Sequence, residues 1–263
     1  MNANNNCRLC GGPTSKLFSK TILGKYDVDY FECGDCGSLQ TEEPYWLDEA
    51  YSKKKLSNID TGAAQRTLGN LGACFAVAKV FHAKNAIDVG GGDGLLCRLL
   101  RDYGINCYLR DKYASPTYAQ GFTEPDFETP DLVTGFEVLE HLPNPSADLS
   151  DLFAYSPNVF LLSTMIYSRE RSDWWYLSPE SGQHVFFYSD KALKLIGKKY
   201  RYSLTMSGGF ILFVRNASVI QMKLAKILLK YSRIIKSFVV QLPAPGVWRD
   251  HMQQVQEPKQ PPL

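Results

Sequence analysis

The sequence predicts an α/β fold, in which a mostly parallel sheet follows a small cysteine-rich module. Three observations support this prediction. A buried strand at residues 87–89 runs directly into the glycine-rich turn 90–94. A second short strand, at residues 105–111, ends in an acid about 20 residues beyond the first glycine, the spacing at which a βαβ unit places a carboxylate near its ligand. Two Cys-x-x-Cys pairs precede both strands.

The N-terminal module is assigned to residues 1–43. Cys7, Cys10, Cys33 and Cys36 form its two pairs, and a glycine follows each pair. Four thiolates on two tight turns are typical of a structural Zn²⁺ site, and with all four positions filled no position remains for a catalytic water. Disulfides are the alternative. They are disfavoured because no apolar signal segment opens the chain to direct it out of a reducing compartment.

Residues 44–84 are predicted to form a helical connector or lid. The pattern of apolar residues from Asn58 to Lys84 is helical, and this helix would pack on the sheet or close over a bound ligand. Tyr51, in the aromatic segment before it, is either part of the lid or a packed hinge.

The glycine-rich turn is predicted to hold a ligand against bare backbone. Gly90, Gly92 and Gly94 stand at every second position, and a helix begins at Leu95. A dinucleotide fingerprint needs its third glycine where Leu95 stands, so an NAD-linked oxidoreductase is disfavoured. A tight strand-to-helix connection without a ligand is the alternative.

A third strand, at residues 131–136, runs into the sequence Phe-Glu-Val-Leu-Glu-His-Leu at residues 136–142. Together with the glycine turn and Asp111, in this order, it closely resembles the class I S-adenosylmethionine-dependent methyltransferases. The resemblance implies a Rossmann-like class I methyltransferase sheet, with a terminal antiparallel β-hairpin added to five parallel strands. Residues 202–215 have the pattern of that hairpin.

The resemblance also implies S-adenosyl-L-methionine as the cofactor, bound by a methyltransferase domain at residues 85–216. Asp88 would lie beneath the turn and accept hydrogen bonds from the loop or from the ligand amine, while Asp111 would accept from the ribose hydroxyls. The implied cofactor-binding residues are Asp88, Gly90, Gly92, Gly94, Asp111, Phe136 and Glu137.

Two histidines are the candidate catalytic residues. His184 lies in a long aromatic connection, residues 167–189, after the strand at residues 158–164. This connection is expected to form the roof of an acceptor pocket. His184 would serve there either as a general base or only to hold the loop in place. His141 is either packed or faces the substrate. Its neighbour Glu140 is expected to be a solvated acid in a first helical turn.

The four-cysteine module ahead of such a domain resembles bacterial sugar methyltransferases, including proteins associated with surface-polysaccharide assembly. This resemblance implies a sugar or glycan acceptor. The alternatives are another small-molecule acceptor, or a non-catalytic methyltransferase-like protein that uses its zinc module to join an assembly.

The C-terminal part of the chain is basic. Residues 191–249 contain twelve Lys or Arg and no Asp or Glu, although the total net charge is only +2. Residues 217–242 are predicted to form one basic amphipathic helix. Through residues 219–240 it would contact an anionic membrane or a protein partner, or dock on the protein's own body. Nucleic acid is disfavoured because no base-reading module accompanies the lysines.

No stretch reaches the ~20 apolar residues of a membrane span, so the protein is expected to be cytoplasmic or peripheral to the inner face of the membrane. The Pro- and Gln-rich residues 243–263 are predicted to be a disordered tail.

Overall fold

The structure is a computed structural model that describes residues 6–52 and 60–256. Its strands are β1 (Thr14–Ile22), β2 (Tyr26–Cys33), β3 (Leu39–Thr41), β4 (Asn85–Val89), β5 (Asn106–Arg110), β6 (Leu132–Phe136), β7 (Val159–Ser163), β8 (Phe186–Phe187), β9 (Ser203–Ser207) and β10 (Phe210–Val214). Its helices are α1 (Leu47–Ser52), α2 (Ala63–Phe81), α3 (Leu95–Asp102), α4 (Pro145–Ala154), α5 (Asp190–Tyr200), α6 (Val219–Lys230), α7 (Ser232–Val239) and α8 (Pro245–Gln256), with short 3₁₀ turns at Leu139–His141 and Trp175–Leu177.

The main sheet has six strands in the order β5-β4-β6-β7-β10-β9. The first four are parallel, and β10 runs antiparallel to both β7 and β9. Strands β7 and β10 are buried along their whole length, as expected for central strands covered on both faces. The predicted sheet and its terminal hairpin are therefore confirmed.

The number of parallel strands differs from the expectation. Of the five that the resemblance implies, four are present in the described part of the chain, since residues 111–131 contain neither helix nor strand. Three prolines in this segment, Pro116, Pro125 and Pro130, cannot donate to a ladder of backbone hydrogen bonds. The parallel half of the sheet ends at β5.

A second, antiparallel sheet joins the N-terminal module to the larger domain. Its strand order is β1-β2-β3-β8, and Leu39 of β3 pairs with Phe187 of β8. Because β8 belongs to the predicted methyltransferase segment, the boundary at residue 43 does not separate two independent units. The aromatic core beneath this sheet likewise mixes both parts, with Tyr30 and Trp46 beside Tyr176 and Phe187.

The connector supplies two helices. Helix α2 begins at Ala63, and the predicted start at Asn58 lies outside the described residues. Its C-terminal half, from Leu71 onward, is buried against the sheet and against α7. At Gly72 the two helices are so close that a Cβ would lie 2.2 Å from the carbonyl oxygen of Ser232. The connector is thus packed into the domain core.

Two expectations for the C-terminal region are wrong. The predicted single helix is interrupted at Tyr231, which separates α6 from α7. The predicted disordered tail instead contains α8, which docks on α3 through Asp250, whose side chain is 3% exposed and bonded to Arg98 and Arg101. Composition indicated disorder, but a buried ion pair of distant residues orders this segment. In the described residues no helix is both long and apolar enough to cross a membrane.

Candidate active site

The glycine turn lies where β4 ends and α3 begins. The Gly90 N–H donates to the carbonyl oxygen of Arg110 at 2.8 Å, which ties the turn to the end of β5. Gly94 is in the left-handed region with φ 86° and precedes the first residue of α3. A Cβ there would lie 2.6 Å from that of Ala119, whereas a Cβ on Gly92 would meet no atom within 4 Å. The turn therefore presents bare backbone to open space at Gly92.

Asp88 lies directly beneath this turn, as the sequence predicts. It is 1% exposed, and its Oδ1 accepts a hydrogen bond from the Thr134 hydroxyl at 2.7 Å. Its Oδ2 is buried and has no partner among the described residues. Burial raises the pKa of Asp88 to about 7, and the nearby Asp111 adds to the effect. This buried oxygen is available to a hydrogen-bond donor or a cation.

Asp111 follows β5 and reaches the same turn. Its Oδ2 accepts from the Gly92 N–H at 2.9 Å, and its Oδ1 accepts from the N–H groups of Tyr113 and Ala114, both at 2.8 Å. A carboxylate has about four lone-pair sites, so acceptor capacity remains for a ligand hydroxyl. The structure thus brings Asp88, Gly92 and Asp111 together.

Tyr51 covers the side of this region. Its ring stacks on that of Tyr113 with centroids 4.4 Å apart, and its hydroxyl lies 3.4 Å from Nδ1 of His141. Burial raises the pKa of Tyr51, so the hydroxyl stays protonated. Tyr51 therefore connects the segment after Asp111 with the histidine cluster.

Phe136 and Glu137, at the end of β6, point to different surroundings. The Phe136 ring contacts that of Phe210 edge to face, with centroids 5.9 Å apart. Glu137 has a φ of 54°, and its Oε1 accepts from the Ser163 hydroxyl at 2.6 Å. Burial raises its pKa, and the neighbouring Glu140 adds to this. Glu137 thus belongs to a polar cluster with Ser163, Tyr176 and Glu140, at the end of β6.

Glu140 contradicts the expectation of a solvated helical acid. Its side chain is fully buried, because it lies in a 3₁₀ turn and its carbonyl oxygen accepts from the Val185 N–H at 2.9 Å. The Tyr176 hydroxyl lies 2.5 Å from Glu140 Oε1, while Oε2 has no partner among the described residues. The sequence analysis singled out no role for Tyr176, whose hydroxyl also lies 3.1 Å from Glu137 Oε2.

His141 and His184 complete this cluster. Their rings meet nearly at right angles, with centroids 4.9 Å apart. His184 Nδ1 lies 2.7 Å from the carbonyl oxygen of Tyr176, so this nitrogen is the donor, which leaves Nε2 as the acceptor of the ring. Burial, and then the nearby His184, lower the pKa of His141 to about 3. The structure brings the two predicted catalytic histidines together.

The cluster has the donor atoms of a cation site as well as those of a proton acceptor. One ligand atom from each of Glu140, His141 and His184 lies within 4.8 Å of the others. Two imidazoles and a carboxylate are a donor set typical of divalent transition metals. The unpartnered Glu140 Oε2 fits either a bound cation or a bound donor.

The N-terminal module and the connector together hold the loop that carries His184. An Arg8 guanidinium nitrogen donates to the Val185 carbonyl oxygen at 2.7 Å. The Trp46 indole donates to the Gly182 carbonyl oxygen at 2.7 Å, and the Gln183 amide donates to that of Ala50 at 3.1 Å. These three bonds fix the loop at residues 182–185.

The four predicted cysteine ligands are gathered in one cluster. Their Sγ atoms all lie within 4.8 Å of one another, with 3.6 Å between Cys7 and Cys36 and 3.5 Å between Cys10 and Cys33. A tetrahedral ion with sulfur ligands at about 2.3 Å requires sulfur atoms about 3.8 Å apart. All four thiols are free. The donor set fits a closed tetrahedral zinc site.

The comparisons with known proteins agree with this architecture. The chain matches the family model "Methyltransferase domain" over residues 63–205, more than half of its length. No curated protein matches the chain significantly. Among solved structures, it is similar to the plantazolicin methyltransferase BamL in complex with triazolic desmethylPZN analog and SAH, at 12% identity and a TM-score of 0.50, covering 77% of this chain and 92% of that one.

Two further structures have lower TM-scores, although their sequence identities are higher. They are magnesium protoporphyrin IX methyltransferase from Synechocystis PCC 6803 with bound SAH, at 17% identity and a TM-score of 0.45, covering 59% of this chain and 84% of that one, and the methyltransferase domain of bacterial-CtHen1-C, at 21% identity and a TM-score of 0.43, covering 57% and 98%.

The matched segment contains every element that forms the candidate site apart from the module and α1. It includes the glycine turn, Asp111, the cluster at residues 137–141 and the loop with His184. The similarity to BamL supports the same fold. The chain therefore belongs to the methyltransferase-domain family and is an S-adenosylmethionine-dependent methyltransferase.

Proposed function

We propose that this methyltransferase acts on a hydroxyl group of a sugar or glycan, such as an intermediate of surface polysaccharide or a deoxysugar nucleotide. The observation that carries the proposal is the orientation of His184, whose Nδ1 donates to the Tyr176 carbonyl oxygen and leaves Nε2 as an acceptor. A hydroxyl acceptor needs a proton acceptor of this kind during methyl transfer.

The cofactor residues would act as a cradle. The Gly92 backbone would support the methionine part, Asp88 would accept from the ligand's ammonium group, and Asp111 would accept from the ribose hydroxyls. When bound, S-adenosylmethionine supplies a methyl group on a positively charged sulfur. The acceptor oxygen bonds to the methyl carbon as the carbon–sulfur bond breaks, which leaves S-adenosylhomocysteine. The proton of the acceptor hydroxyl passes to Nε2 of His184, so the charges balance.

The surface of the roof suits a sugar. Trp175 is 72% exposed and stands next to Tyr176, which orients His184. An exposed indole face packs well against the C–H surface of a pyranose, while the polar cluster below supplies hydrogen-bond acceptors.

We also infer that the four-cysteine cluster binds one structural Zn²⁺. With its four sulfurs coordinated, the ion has no open position, and its effect on catalysis is indirect. It stabilises the two cysteine turns, at residues 7–10 and 33–36. Arg8 lies in the first turn and contacts Val185 of the roof, and β3 follows the second turn and pairs with β8.

The unpartnered Oε2 of Glu140 favours one second arrangement, in which a divalent cation bound by Glu140, His141 and His184 orients the acceptor oxygen. In that case His184 is a ligand and not the base. The two arrangements predict different responses to a chelator.

The test is the His184→Ala variant, compared with the exposed His251→Ala variant as a matched control. The proposal predicts unchanged cofactor affinity by calorimetry and a loss of turnover of about 100-fold for His184→Ala, as is usual for a positioned base. The assay measures S-adenosylhomocysteine release with a panel of nucleotide-linked and lipid-linked sugars. His251→Ala should behave as wild type.

Three outcomes test the role of His184, the presence of a cation and the class of acceptor. Full activity of His184→Ala would remove the histidine from the chemistry. Loss of turnover by the wild-type enzyme on dialysis against a chelator, with the four-cysteine zinc retained, would favour the cation. Turnover on other small molecules but on none of the sugars would overturn the acceptor class.

A further inference from the structure

Helices α6 and α7 present two separate apolar faces. One face is narrow and docked. It contains Ala225, Leu229, Ser232 and Val239, all buried, and it packs on α2 and β9 at small residues such as Gly72. The intramolecular docking that the sequence allows is therefore present, but it uses only part of the apolar surface of these helices.

The second face is an exposed apolar stripe. Within each helix its residues are three or four positions apart, which keeps them on one side of a helix of about 3.6 residues per turn, and Tyr231 stands at the junction of the two helices. They are between 45% and 76% exposed, and they comprise Ile220, Leu224, Ile227, Tyr231, Ile234 and Phe238. Six large apolar side chains in one exposed row exceed what scattered surface residues explain.

A positive edge runs along this stripe. Lys223, Lys226, Lys230 and Arg233 are all exposed and follow one edge of the stripe, between it and the docked residues. No acid compensates them within the segment, since residues 191–249 contain no Asp or Glu. The surface is thus apolar along the stripe and cationic along one edge of it.

We propose that this stripe and its positive edge bind the surface of an anionic lipid bilayer. The apolar row would enter the boundary between headgroups and acyl chains, while the cations would contact lipid phosphates. A second copy of the chain would cover the stripe equally well, but it would bring two like-charged edges together without a counter-charge. Charge complementarity therefore favours the anionic bilayer.

This inference is independent of the acceptor proposed above, because it uses no residue of the site. It has a consequence for that site, since an enzyme held at a bilayer is positioned to meet lipid-linked acceptors.

The experiment measures co-sedimentation of the full-length protein with vesicles of phosphatidylcholine alone and of an equimolar mixture with phosphatidylglycerol. We expect binding to the mixed vesicles only, weakened by added salt because the charge contacts are screened. Replacing two stripe residues, in Ile227→Gln with Ile234→Gln, should weaken binding about 10-fold or more. The matched control, Leu17→Gln with Leu195→Gln, changes two exposed apolar residues elsewhere and should bind as wild type.

A second pair of variants tests the positive edge. Lys223→Gln with Lys230→Gln should weaken binding to mixed vesicles about 10-fold, whereas Lys191→Gln with Lys198→Gln, which removes equal charge from α5, should have little effect. Equal binding to both vesicle types, or equal effects of stripe and control variants, would overturn the proposal. A dimer in sedimentation velocity that Ile227→Gln with Ile234→Gln dissociates, without vesicle binding, would assign the stripe to a second copy.

Discussion

Replacing Asp250 by alanine should destabilise the whole protein, although the residue lies in a segment whose composition predicts disorder. The carboxylate is 3% exposed and meets the Arg101 guanidinium, 2% exposed, through two hydrogen bonds of 2.7 and 3.0 Å. Arg98 donates a third at 2.6 Å. Asp250→Ala leaves the buried Arg101 without its counter-charge.

The expected cost follows from what Arg101 retains. Removing one partner of a buried ion pair costs about 3–5 kcal/mol. Arg101 keeps hydrogen bonds to Asn106 Oδ1 at 2.8 Å and to the Cys107 carbonyl oxygen at 3.0 Å, and its guanidinium lies 3.7 Å from the centroid of the Phe122 ring. These contacts place the loss at the lower end, about 3 kcal/mol, still a large share of the ~5–15 kcal/mol that stabilises a typical domain.

Urea unfolding followed by circular dichroism measures this change. The control is Glu124→Ala, which breaks an exposed ion pair with Arg110 and should leave the unfolding midpoint nearly unchanged. An unchanged midpoint for Asp250→Ala would refute the reasoning, because it would mean that α8 does not dock and that the tail is disordered as its composition indicates.

The same ion pair predicts a pH dependence. Burial alone would raise the pKa of Asp250, but hydrogen bonds from Arg101 and Arg98 outweigh it and lower that pKa to about 2. A carboxyl whose folded pKa lies below its unfolded value of about 3.9 stabilises the fold above that pH, by about 2 kcal/mol here. The contribution is lost as the pH falls from about 4 to about 2, and Asp250→Ala should remove this part of the acid transition.

Three further predictions concern the cofactor turn and the zinc cluster. Gly92→Arg should abolish the binding of S-adenosylmethionine in calorimetry by filling the open space above the turn; Gly104→Arg, also at a left-handed glycine facing open space, should bind as wild type. Cofactor affinity should fall as the pH drops below about 7, because protonated Asp88 no longer attracts the ligand's ammonium group, and Asp88→Asn should remove that dependence; an Asn variant with an unchanged pH profile would contradict the assignment. Cys33→Ser with Cys36→Ser should lose about one zinc per chain in elemental analysis, whereas retention of the metal would show that it binds elsewhere.

The parts of this protein that follow from sequence are those whose cause is local. A glycine turn between a buried strand and a helix, two cysteine pairs on tight turns, and fully apolar strands are each encoded by neighbouring residues. The positions of Asp88, Asp111 and the four cysteines were predictable for that reason.

The parts that sequence reasoning missed depend on contacts between distant segments. Glu140 looks like a surface acid in its own segment and becomes buried only because Val185 and Tyr176 cover it. Residues 245–256 have the composition of a disordered tail and become helical because Asp250 meets Arg101.

In the proposed arrangement, the contacts of the roof make the cysteine module a support of the acceptor side of the site and not of the cofactor side. Arg8 contacts Val185, and β3 pairs with β8. His184 comes directly before Val185 in the chain, and helix α5 follows β8. The glycine turn is held from elsewhere, by β5 and by α3, which α8 clamps through Arg101. Loss of the metal should therefore reduce turnover while cofactor binding persists. Loss of the clamp at Asp250 should instead weaken both, because it loosens the helix that begins at the turn.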